Sequence, residues 1–148
     1  MRNKDSRQGV AAVECAFIAP LFLLLLWGTI DVGQYVNVGQ IVTSASREGA
    51  RQAVRPTTVN VSEVQTAVQN YLAGHYPDVP AATLNSAITV NVTDSAGVPI
   101  PSGDLSSVAS GTQVNVEVQL QYSAVRWLTG LGFMNNRTMP ATTYMRRE

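Results

Sequence analysis

The chain has almost nothing with which to build a metal or nucleophilic site. Cys15 is its only cysteine and His75 its only histidine. A single cysteine excludes an intrachain disulfide and any cysteine-based zinc site. A lone histidine cannot hold zinc by itself. As a general base it would need a serine motif and an orienting acid, and Asp78 nearby does not complete such a set. Neither a G-x-x-x-x-G-K-[ST] run nor a G-x-G-x-x-G run occurs. No metal and no cofactor is therefore expected, and no residue constellation supports an enzyme. Charge is scarce too: 14% of residues are Asp, Glu, Lys or Arg, where about a quarter is usual in soluble domains. The formal net charge is zero and aromatics make up only 7%. That leaves neither the electrostatic nor the stacking basis for a nucleic-acid partner.

What the chain does have is one long apolar run, GVAAVECAFIAPLFLLLLWGTID, from Gly9 to Asp31. Between Val10 and Ile30 the only ionisable side chain in 21 residues, Cys15 aside, is Glu14. A helix of that length spans roughly 30 Å, the thickness of a bilayer core. Each leucine or phenylalanine favours insertion by about 0.3–0.6 kcal/mol, and a central acid opposes it by about 2.5–3.5. Residues 21–26 are five leucines and Phe22, while Glu14 lies near the N-terminal end, where its cost is smaller, so insertion wins. Arg2, Lys4 and Arg7 precede the span and Asp31 follows it. The positive-inside rule then places the N-terminus in the cytoplasm and the rest of the chain outside.

Three readings fit such a segment. A cleaved secretory signal requires an A-x-A-like site after the apolar core. Residues 27–33, WGTIDVG, offer none. A plain signal anchor meets no objection. The third is a prepilin-type leader: a short basic peptide, a glycine, cytoplasmic-side cleavage, then an apolar helix with glutamate as its fifth residue. Cleavage between Gly9 and Val10 would make Glu14 that fifth residue. An ionisable group in a membrane segment is a functional-site hypothesis by default. Here the partner would be the new α-amino group on Val10 of a neighbouring subunit, a pairing that sets axial register more than it adds stability. A carboxylate resting at headgroup level is the simpler alternative. Cys15, inside the run, reads as a small buried hydrophobe. Pro20 cannot donate to the Ala16 carbonyl, which predicts a kink or local loosening.

The helical pattern continues past the membrane. Val38, Ile41, Val42, Ala45 and Ala53 form an amphipathic stripe. Gly33, Gly39 and Gly49 weaken it, yet small residues let another helix approach closely. Pro56 closes the helix. Arg47, Glu48, Arg51 and Arg55 crowd its last turns, where cations suit the helix dipole.

Two segments together carry a resemblance: residues 9–34, GVAAVECAFIAPLFLLLLWGTIDVGQ, and residues 45–54, ASREGARQAV. They resemble the TadE-like family of pilin-like components of tight-adherence (Tad/Flp) pilus systems. The matching positions are Glu14, Ala16, Pro20, Asp31, Gly33, Arg47, Glu48, Gly49, Ala50 and Arg51. The chain departs at Cys15, where the family usually has an aromatic, and at Asp31, where glutamate is commoner. The closing TTYMRRE (142–148) also resembles the family's last strand. The resemblance implies an extracytoplasmic head held by one span in the bacterial inner membrane, with entry into a pilus open. It also implies partners: a prepilin peptidase, other pilin-like subunits, and an assembly platform with its ATPase.

Beyond Pro56 the residues turn to Thr, Val, Asn, Ser and Gly. Ser62 with Gln65 reads as a capping box. Val64, Ala67, Val68, Tyr71 and Leu72 share one face, and Gly74 ends the helix. Pro77 and Pro80 mark a loop. Ile88, Val90 and Val92 alternate as a half-buried strand, and Val114 to Tyr122 alternate more clearly. Asp94 begins an Asx-turn. Trp127, Leu128, Leu131 and Phe133 are expected to cover the sheet. Residues 138–146 read as a last strand, with Pro140 placing it at an edge.

The expected architecture is α+β. A long N-terminal membrane-spanning, pilin-like helix precedes a small head with one or two short helices and an antiparallel sheet of about three strands. The expected division is a leader at 1–9, an assembly helix at 10–55 and a head at 56–148. Two functions follow: a pilin-like subunit working by assembly, or an uncleaved, signal-anchored binding module of the cell envelope.

Overall fold

The computed structural model describes residues 4–100, 103–127, 134 and 136–147. One helix, α1, runs from Lys4 to Ala53 and carries Pro20 inside it without ending there. It closes three residues before Pro56, as the proline requires. A second helix, α2 (Val61–His75), and a short third, α3 (Ala81–Ala87), follow. Three strands complete the fold: β1 (Ile88–Asp94), β2 (Gln113–Gln121) and β3 (Thr138–Arg146). The long N-terminal helix and the three-stranded antiparallel sheet are those expected of an α+β chain.

The sheet order is β1-β2-β3, antiparallel throughout. Val92 faces Val116 across one ladder, and Val116 faces Thr143 across the other. Alternation along β2 puts Val114, Val116, Val118 and Leu120 on one fully buried face. The second half of α1 lies across that face and along β3, and α2 packs against α1 and β1. The stripe on α1 behaves as its spacing predicts: Val38, Val42, Ala45 and Ala53 are buried and Ile41 is half-buried. They join Val64, Val68 and Leu72 of α2 in a single core with the sheet. The helix that carries the apolar run is thus also a wall of the head.

Gly49 sits where α1, α2 and β2 come closest. A Cβ there would lie 2.7 Å from Val68 Cγ2 and 3.2 Å from Val116 Cγ1. The close approach that a small residue permits is therefore made by α2 of the same chain. No neighbouring group lies within 4 Å of a Cβ built at Gly33 or Gly39.

Several expectations in the head are corrected. The cap of α2 is Asn60, not Ser62, and its box partner is Glu63, not Gln65. The Glu63 carboxylate accepts from the Asn60 and Val59 N–H groups at 3.3 and 3.4 Å. An acid in the first turn also meets the positive end of the helix dipole, which Gln65 does not offer. Gly74 lies inside α2, which ends at His75 before Tyr76 and Pro77. His75 is therefore a helix-end residue, its Nδ1 2.9 Å from the Tyr71 carbonyl. Pro80 is not simply loop: it caps α3 and its carbonyl accepts from Leu84 N–H. Tyr122 keeps the buried phase of β2 but lies in a 3₁₀ turn, Tyr122–Ala124, just past the strand.

The Asx-turn at Asp94 is present, with Oδ1 accepting from Ala96 and Val98 N–H groups at 2.8 and 2.9 Å. Strand β3 covers the expected residues, and Pro140 stands on an edge strand. Trp127 does not cover the sheet, being 69% exposed. Leu128, Leu131 and Phe133 lie outside the described residues.

Candidate assembly helix and its junction with the head

Among the described residues, nothing covers the apolar half of α1 from Val10 to Leu26. Every residue from Val10 to Leu26 is exposed, although the segment's best 18-residue window has a mean hydropathy of 2.3. Exposed apolar residues on this scale signify a partner or a bilayer rather than water. By length and composition the helix can cross a membrane. Glu14 and Cys15 both lie on this exposed surface. The burial expected of Cys15 does not come from the chain itself. Glu14 stands four residues after Val10, on the same helix face and about 6 Å further along the axis.

Burial begins at Trp27 and becomes complete at Asp31, which is 1% exposed. Asp31 is the first carboxylate after the apolar run, and the head closes over it. The Tyr122 hydroxyl donates to Asp31 Oδ1 at 3.2 Å, with the Asp31 carbonyl at 3.3 Å. Gln34, one turn on, has its amide 3.4 Å from the same hydroxyl. Turning the Gln34 carbonyl toward Trp127 lets it accept from the Trp127 backbone N–H at 3.0 Å and the indole N–H at 3.2 Å. Its NH₂ then faces the Tyr122 oxygen. The result is a chain of polar contacts from Trp127 through Gln34 and Tyr122 to Asp31.

Tyr122 is fully buried, and Tyr35 packs edge-on against it with ring centroids 5.4 Å apart. Burial, and then the hydrogen bond to Asp31, push the Tyr122 hydroxyl up to about 12. Burial, with Tyr122 nearby, likewise pushes Tyr76 up to about 12. The Tyr76 hydroxyl is enclosed without a hydrogen-bond partner. A cleft of about 490 Å³ opens beside this junction, lined by Gln34, Asn37, His75, Tyr76, Arg126 and Trp127 among others.

The segment around Gly49 divides by face. Gly49 and Ala50 are buried in the core, while Arg47 and Arg51 are exposed. Arg51 donates twice to the Glu48 carboxylate, at 2.8 and 3.0 Å. That bond holds the Glu48 carboxyl below its ordinary range. The pair is a surface feature one turn apart on the helix, of a kind that contributes little to stability. Gln52 Nε2 donates to the buried Thr58 hydroxyl at 3.1 Å and joins the helix end to the following turn. Among the described residues no group of three His, Cys, Asp or Glu side chains is placed to hold a metal ion.

The residues singled out from sequence thus fall into three places. Gly9, Val10, Glu14 and Pro20 lie on the apolar half of α1, Asp31 and Gly33 at the junction, and Arg47, Glu48, Gly49 and Arg51 on the packed half. The family described as TadE-like protein matches residues 9–51. This segment is similar to that family. The match begins at Gly9 and ends at Arg51, so it contains all of those residues and none of the head beyond α1. No curated protein and no solved structure matches the chain. Tyr122, Gln34 and Trp127 were not foreseen as site residues. The buried alternation of β2 marked Tyr122 as a core residue, and Trp127 was expected only as a cover of the sheet.

Proposed function

We propose that the protein is a minor pilin-like subunit of a Tad/Flp-type pilus or a related secretion apparatus. In this reading a prepilin peptidase cleaves between Gly9 and Val10 on the cytoplasmic side of the inner membrane. The mature subunit waits in the bilayer with its head outside, then assembles through the apolar half of α1. Platform and ATPase partners supply the work of extraction. The observation that carries the reading is the pairing of a TadE-like segment starting at Gly9 with a helix whose apolar half is left exposed among the described residues.

The physics of that half supports two states. In the bilayer, lipid covers the leucines. In an assembly, neighbouring helices cover them, at similar hydrophobic gain. What then selects a register is a polar contact. Glu14 of one subunit would meet the Val10 amine of the next, an ion pair in an apolar setting where a stranded charge is costly. Pro20 removes one backbone bond six residues on, a point of compliance during transfer.

The test is the intact mass of the membrane-extracted chain, made with and without its prepilin peptidase. A peptidase-dependent loss of residues 1–9, abolished by Gly9→Val, is expected. A full-length chain in both cases would overturn the cleaved-pilin reading and favour the signal-anchored binding module, for which the cleft beside Trp127 would be the place to seek a ligand.

A further inference from the structure

We infer that Trp127 docks the head onto the lipid headgroup layer of the membrane that α1 enters. The inference rests on the single-span reading of α1 and goes beyond it. A span fixes the helix in the bilayer, but it does not say whether the head stands clear of the surface or rests on it.

Three observations bring the indole to the surface. The first is height. The apolar run ends at Ile30, and Gln34 lies four residues further along the same helix, a rise of about 6 Å. A headgroup layer extends roughly 5–8 Å beyond the hydrocarbon on each side. Gln34 therefore sits within that layer, and its carbonyl accepts from both the backbone and the indole N–H of Trp127. The second is chemistry. Trp127 is 69% exposed while its one polar side-chain atom is already satisfied. What it presents outward is apolar ring, and an aromatic with a satisfied polar edge is suited to the boundary between lipid and water. The third is Asp31, the first carboxylate past the span, which the head covers almost completely. A head standing clear of the bilayer would leave that charge in water at no cost. A head seated on the bilayer edge must shield it from lipid, where it would be costly.

The two tryptophans make the test self-controlled, since Trp27 lies in the span and Trp127 in the head. Full-length Trp27→Phe and Trp127→Phe variants are reconstituted into phosphatidylcholine vesicles with and without brominated lipid. Trp27 reports on the span alone. With Trp127 as the sole emitter, blue-shifted fluorescence is expected. It should be quenched more by bromines near the glycerol than by bromines near the chain ends, and little by aqueous acrylamide. Adding Gln34→Ala should weaken the lipid quenching by freeing the indole. If Trp27 is quenched by lipid while Trp127 answers only to acrylamide, the inference is wrong and the ring is open to a protein partner. If lipid bromines leave Trp27 itself unquenched, the span reading fails, and the inference with it.

Discussion

The two halves of α1 belong to one unbroken helix yet are built from different residues. Residues 10–30 are rich in Leu, Phe and Ile, and those side chains are exposed almost throughout. Residues 38–53 bury Val, Ala, Ser and Gly. The difference follows from what each half packs against. Lipid and other apolar helices accept large side chains with no fixed partner. A sheet and a crossing helix demand a close fit, and only small residues let the backbones approach. A single helix can thus have one end that dissolves in whatever apolar surroundings are supplied and another whose surroundings are fixed by its own chain. Substitutions should therefore separate: those in the first half act on assembly, those in the second on the fold.

The largest expected effect breaks assembly alone. Glu14→Ala should abolish incorporation into pili, scored by piliation of cells. The head's unfolding free energy should change by less than about 0.5 kcal/mol, as for other surface changes. Normal piliation would refute the register role of Glu14. Next, Gly49→Leu should overpack the meeting of α1, α2 and β2 and cost about 1–3 kcal/mol or more. Gly39→Leu on the same helix, with open space around it, should leave the melting temperature of the detergent-solubilised protein nearly unchanged. Equal losses at both glycines would mean that helix propensity, not packing, governs the second half. Tyr122→Phe keeps the ring and removes the donor to Asp31, at a cost of about 1 kcal/mol.

Tyr122 also sharpens the comparison through pH. Its hydroxyl is raised from about 10 in the unfolded chain to about 12 in the fold. The folded state therefore holds its proton longer. The stability this contributes is fully present below about pH 10 and is lost as pH rises through about 12. Tyrosinate absorbance should show late steps at about pH 12 from Tyr122 and Tyr76. Tyr122→Phe should remove one late step. The smallest effect is expected at Arg51→Ala. The guanidinium is well exposed, so the melting temperature should barely move. A large drop would give the Glu48 pair a structural weight that its geometry does not predict.

Much of this architecture was legible because it is periodic. The stripe Val38, Val42, Ala45 and Ala53, the alternation of β2 and the extent of β3 are repeating patterns, and repeats survive without knowledge of the partner. Single-residue signals were less secure. Ser62 and Asn60 are both good caps, and only the acid at Glu63 separates the two boxes. Helix α3 spans seven residues, with only Leu84 and Ala87 buried, too few to show a period just after Pro77 and Pro80. The junction was the least legible part. Asp31 drew notice through family resemblance, but its contact with Tyr122 joins residues 91 positions apart. No local pattern encodes such a pair. Close approach by another helix was one reading of Gly33, Gly39 and Gly49 alike; of the three only Gly49 is closely approached, by a helix of the same chain.

The length of α1 has a mechanical consequence. Fifty residues of helix make a rod of about 75 Å, and the head is not hung from its tip but clasped along its last turns. Tension applied at the membrane end is therefore delivered as shear. To pull the rod free, the stripe from Val38 to Ala53 must slide past α2, β2 and β3 together, with the Ser46–Thr143 hydroxyl contact at 2.7 Å breaking in the same movement. A head joined by a flexible tether would instead peel from one residue at a time and yield at far lower force. The chain is built like a nail driven through its own head, and a pull on its shank loads the whole clasp at once.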